Sequence, residues 1–87
     1  LPVYISLGKY TAEGVTKIKD QPHRLEEVKK IMDQDGVSMK AFYFTFGQYD
    51  LVTIIEAPDD DAALKCLLRI SSRGKVTLET LKAFSEE

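Results

Sequence analysis

The sequence predicts an α+β fold in which four strands and two helices follow one another as βαββαβ. Three observations predict it. Two runs rich in aromatic and β-branched residues, 37–46 and 51–57, flank the connection Gly47-Gln48-Tyr49-Asp50, which reads as a β-hairpin with a loop of about three to four residues. Apolar residues at helical spacing lie on either side of that hairpin, at Leu25, Val28, Ile31 and Met32 and again at Ala63, Leu64, Leu67 and Leu68. Segments alternating with period two open and close the chain, at 2–8 and 76–84.

Each element has a local reason. In the first strand Val3, Ile5 and Leu7 share one face, and Tyr4, Ser6 and Gly8 the other. Thr11 then offers an N-cap to a short segment carrying Val15 and Ile18, which Gly14 keeps from becoming a long helix. Asp20 or Gln21 opens the main helix, with Pro22 in a first turn where its absent N–H is no loss, and Gly36 stops it. The second strand, from Val37, sets Met39, Ala41 and Tyr43 on one face and Phe42, Phe44 and Phe46 on the other. The third sets Val52 and Ile54 against Leu51 and Ile55, and Pro58 ends it. Asp59, Asp60 and Asp61 supply a cap and negative charge to the start of the next helix, where the dipole favours them. Gly74 ends that helix, and the last strand follows.

Right-handed crossovers in this order give a four-stranded antiparallel sheet with both helices on one face, the ferredoxin-like arrangement. Helices then cover one side only, yet the second and third strands carry large apolar groups on both. The uncovered side calls for a partner, and the simplest is a second copy packed face to face by two-fold symmetry.

Eighty-seven residues make a single domain, 1–87. With 44% apolar and 30% charged residues the composition is that of a globular protein, and a net charge of −2 disfavours nucleic acid, which demands a basic face. No apolar run is long enough for a membrane span, and no leader pattern is visible at the start. The single cysteine, Cys66, excludes an internal disulfide and fits a reducing, cytoplasmic setting.

Few residues point to chemistry. Gln48, Tyr49 and Asp50 are candidates for the rim of a pocket, where an amide and a carboxylate orient a polar ligand; alternatively Gly47 sets the turn, Asp50 closes it and Tyr49 packs over a seam. His23, the sole histidine, is either a general base or ligand, or a solvated residue of a first helical turn. No second His or Cys stands at ligand spacing, so no metal is expected, and no cofactor motif is present. Tyr4, Ser6, Lys9 and Tyr43 form one joint candidate: if Tyr4 points away from the helices, its hydroxyl and Ser6 line a cavity between sheets; otherwise Tyr4 is a core tyrosine with a bonded hydroxyl. The Phe42, Phe44, Phe46 stripe reads as packing, Cys66 as a small buried residue, and the three aspartates as capping rather than a calcium loop.

Five separated elements together resemble the GYD-domain family, small proteins named for Gly-x-Tyr-Asp: Tyr4-Ile5-Ser6-Leu7, the helix entry 20–25, Gly47-Gln48-Tyr49-Asp50, the strand exit 56–60 and the closing 79–84. The resemblance covers nearly the whole chain. It implies a ferredoxin-like domain related to the dimeric α+β barrels, without implying a reaction. The ligand-sensing domain of the leucine-responsive regulators is also similar, with Gly-x-Tyr-Asp between its middle strands and effectors bound between protomers. No helix-turn-helix precedes the domain in this sequence, so DNA binding is not expected, while small-ligand sensing stays open. The expected function is a self-associating module that holds a small ligand near Gln48–Asp50. The alternative is a cofactor-independent monooxygenase or isomerase, which requires His23 with Tyr43 or Tyr4 to converge on one enclosed cavity.

Overall fold

The computed structural model describes residues 1–16, 19 and 21–86, and the side chains of all of these except 21–23. The expectations for Ile18, Asp20 and the side chains of Pro22 and His23 lie outside the described residues. The elements are β1 (Val3–Tyr10), α1 (Ala12–Thr16), α2 (Gln21–Gln34), β2 (Ser38–Phe44), β3 (Leu51–Glu56), α3 (Asp60–Ser71) and β4 (Val76–Ala83). The strands form one antiparallel sheet in the order β2-β3-β1-β4. This is the ferredoxin-like order.

Local chemistry starts α1 and α3, and stops α2 and α3, where the sequence says it should. Thr11 Oγ1 accepts the Gly14 N–H at 3.1 Å and caps α1. A Cβ at Gly14 would collide with the Lys75 carbonyl, so α1 can lie against the start of β4 only with glycine there. Asp59 Oδ1 accepts the Ala62 N–H at 2.8 Å, capping α3 in front of Asp60 and Asp61. Gly36 follows α2 at φ +72° and Gly74 follows α3 at φ +77°, the left-handed conformation in which glycine escapes a Cβ clash.

The core lies between one face of the sheet and helices α2 and α3. Tyr4, Val37, Ile55 and Ala57 meet Met32, Ala63, Cys66 and Ile70 there, with Val28, Ile31, Met39, Leu67, Val76 and Leu78 packed around them. In β1 the buried residues are Tyr4, Ser6 and Gly8, and in β3 Leu51, Thr53 and Ile55. Register carries the same face onto β4, where Leu78 opposes Gly8, Thr80 opposes Ser6 and Lys82 opposes Tyr4. The other face carries Val3, Ile5 and Leu7 beside Val52 and Ile54, with neither α2 nor α3 over it. The orientation that the sequence leaves open is therefore decided: Tyr4 points toward the helices.

Two expectations need correction. The register of β2 against β3 shifts between Met39 and Ala41, an irregularity of the β-bulge kind. Met39 thus opposes Ile55 on the helix side with Phe42 and Phe44, while Ala41 and Tyr43 remain on the uncovered side. Phe46 lies beyond the strand, in the loop, and is fully exposed. In α3 the buried stripe is Ala63, Cys66 and Ile70, whereas Leu64 and Leu68 are 59% and 60% exposed. Both stripes have 3–4 spacing; the helix has settled rotated about its axis, so that Ala63, Cys66 and Ile70 meet the core.

Candidate functional site

The hairpin and the uncovered face meet at one end of the sheet. The Thr45 N–H donates to the Asp50 carbonyl at 2.9 Å, closing a loop of Phe46, Gly47, Gln48 and Tyr49, and Thr45 Oγ1 donates to the Tyr49 carbonyl at 2.6 Å. Gly47 stands at φ +97°, which a side chain would strain. Asp50 fastens this loop to the end of β1. Its N–H donates to the Gly8 carbonyl at 2.8 Å, and its Oδ2 accepts the Tyr10 N–H at 2.9 Å. The carboxylate so continues the β1–β3 ladder beyond its last backbone pair.

Tyr49 reaches from this loop across the end of the uncovered face. Its hydroxyl donates to Glu79 of β4, and Lys9 of β1 sits over its ring, Nζ 5.5 Å from the centroid. Lys9 and Glu79 alternate in phase with Leu7 and Leu81 on that face. The Glu79 bond, then burial, raises the Tyr49 phenol above its ordinary pKa and keeps it a neutral donor. Gln48 is exposed at the loop, and Tyr43, opposite Val52 on the uncovered face, is 59% exposed.

Tyr4 is elsewhere. Its hydroxyl donates to Asp60 at the start of α3, and Lys82 Nζ lies 3.0 Å from the same carboxylate. The Asp60 bond, with burial and the negative charge of Asp60 and Asp59, pushes the Tyr4 phenol up to about 12, while the Tyr4 and Lys82 bonds lower the Asp60 carboxyl. The sequence-predicted residues thus divide. Tyr49 and Tyr43 border the uncovered face with Gln48 at its loop, Asp50 ties the loop to β1, and Tyr4 lies across the sheet. The His23 side chain is outside the described residues. Tyr4 and Tyr43 point to opposite faces, so no single cavity receives both.

Glu79 escaped the sequence reading. Alternation places it on a face, but its approach to Tyr49 depends on how far the loop leans over β1. Among the described residues no cluster of three or more His, Cys, Asp and Glu could hold a metal ion, and no helix is long and apolar enough to cross a membrane.

The model of the GYD domain matches residues 4–87. The chain belongs to the GYD-domain family. A Thermus thermophilus relative, described as a glutamine synthetase and cystathionine beta-lyase binding protein, is 34% identical to this GYD domain over 84 residues, 95% of this chain and 88% of that one. Among solved structures, FFRP-DM1 superposes with a TM-score of 0.67 at 16% identity, over 97% of this chain and 100% of the other. A crystal structure from Thermus thermophilus gives 0.64 at 19% identity, over 100% and 98%. At such identities these two structures report the shared fold of the GYD domain and nothing finer.

Proposed function

We propose that this GYD domain is an association module that pairs with a second copy of itself through the uncovered sheet face, with Gln48 and Tyr49 meeting a small polar ligand at the seam. The observation that carries the reading is the polarity of β1. Its aliphatic residues Val3, Ile5 and Leu7 point away from the helices, and its polar or small residues Tyr4, Ser6 and Gly8 point toward them. A monomer built to stand alone places the two sets the other way round. Val52, Ile54, Ala41 and Leu81 extend the apolar surface across all four strands. A stable interface needs roughly 800 Å² from each partner, a small share of the 5726 Å² surface of this chain.

The Thermus relative is named for binding two enzymes, which supports binding rather than catalysis as the role here. The only cysteine, Cys66, is buried, and its thiol is pushed up to about 11 mainly by burial, so it stays protonated and unreactive; a chain with a single cysteine needs no internal disulfide and fits a reducing compartment such as the cytoplasm.

Sedimentation across a micromolar concentration series tests the reading. The wild-type chain is expected at the mass of a pair, and Ile54→Asp at that of a monomer with an unchanged circular dichroism spectrum. A wild-type chain that remains monomeric throughout overturns it.

A further inference from the structure

A second feature lies on the other side of the sheet. Between the sheet and helices α2 and α3 is a cavity of about 80 Å³. Val28 and Met32 of α2, Leu67 and Ile70 of α3, and Phe42 and Leu78 of the sheet border it, and nearly all of its wall is apolar. Protein interiors are close-packed, with few voids larger than a water molecule. This void has a cause in the sequence. Ser6 of β1 and Thr53 of β3 are buried cross-strand neighbours that line the cavity from the covered face, where leucine or isoleucine would fill it. Both side chains are short, so sheet and helices do not close on each other there.

Polar groups at its border are engaged elsewhere. Ser6 Oγ lies 2.9 Å from Thr80 Oγ1 on the neighbouring strand. Arg24 donates to the Gly14 carbonyl at 3.3 Å, and Arg73 is paired with Glu27. A charged guest would give up its water here without a waiting counter-ion, and an ordered water needs about two to four polar partners. A neutral apolar guest, by contrast, restores to the wall the dispersion contacts that the void forfeits.

We propose that this cavity is a binding site for a small neutral apolar molecule, a hydrocarbon of about three carbons or a gas atom of that size. The volume sets the limit, being about half that of the ~150 Å³ engineered apolar cavity that admits benzene or xenon. Apolar surface on nearly every side sets the class. The site is separate from the association surface, with the sheet between them, and stands whether or not the chain self-associates.

Val28, Leu67 and Ile70 border the cavity from both helices, so their methyl resonances report on it; Met32 and Met39 also border a surface groove and do not report on the cavity alone. Pressurising the full chain with xenon is expected to shift the Val28, Leu67 and Ile70 methyls saturably, and dissolved cyclopropane to shift the same set. Propionate, of similar size but charged, is expected to shift none of them. Val28→Phe and Thr53→Leu fill the space from opposite walls, one from a helix and one from the sheet. Each is expected to abolish the xenon shifts at Leu67 and Ile70; two positions are used so that one misfolded variant does not decide the outcome. Absence of saturable shifts at the highest xenon pressure that leaves the chain folded overturns the site. So do xenon shifts that survive in a folded filled variant, and propionate shifts that match those of cyclopropane.

Discussion

The two faces of the sheet are built from the same strands and differ in what lies over them. Ile55 and Ile54 are adjacent in β3. Ile55 is 0% exposed beneath the helices, while Ile54 points the other way and is shielded only by its neighbours within the sheet. On β1 the contrast inverts intuition, because the covered side carries a phenol, a hydroxyl and a glycine, and the uncovered side three aliphatic side chains. Apolar character alone therefore does not tell which side of a strand is the interior. The covered side tolerates Tyr4 and Ser6 because Asp60 and Thr80 satisfy their hydroxyls. The uncovered side has no such polar inventory between its ends, which suits a dry contact with another protein surface.

The largest expected effect separates the faces directly. Ile55→Ala removes a fully buried side chain and is expected to cost about 2–5 kcal/mol at every protein concentration, measured by urea unfolding. Ile54→Ala should act chiefly through association, so that its cost fades as the protein is diluted. Equal, concentration-independent losses for the two variants would break the distinction.

A smaller effect is expected where the faces meet the hairpin. Asp50→Ala removes the carboxylate that accepts the Tyr10 N–H, and the loss expected is about 1–2 kcal/mol in unfolding free energy. Hydrogen exchange should quicken at Tyr10 while the amides of β4 keep their protection. Uniformly faster exchange across the sheet would mean that Asp50 holds more than this corner.

The finest comparison is between the tyrosines of the two sides. Tyr4 has a folded-state pKa of about 12 against an ordinary value near 10, so its contribution is complete below pH 10 and is lost as the pH rises through about 12. The thiol of Cys66, raised to about 11, adds to the same alkaline loss. Tyr4→Phe is expected to flatten the upper part of the stability-against-pH curve, whereas Tyr49→Phe should alter association more than that curve. An alkaline profile unchanged by Tyr4→Phe would remove the Asp60 bond from the account.

Much of the fold is legible in the residues because its causes are local. Asp59 caps the next turn, Gly36 and Gly74 take positive φ after the helices, and the 46–49 loop is closed by its own neighbours. The candidate site is less legible. Tyr49 and Asp50 stand out in the sequence, but Glu79 and Lys9 become their neighbours only when β4 and β1 are placed in register. The parity of β2 reads wrongly because an irregularity between Met39 and Ala41 moves every earlier residue to the opposite face.

The sequence by itself determined the family, the order of the elements and which residues of β1 and β3 share a side, because these follow from spacing, from caps and from turn residues. Only the tertiary structure decided which side the helices cover, how α3 is rotated so that Leu64 and Leu68 face outward, and that a mainly apolar cavity lies under the helices. In β1 and β3, alternation with period two tells which residues point together, but not what they point at; that is set by how the crossovers lay α2 and α3 on the finished sheet.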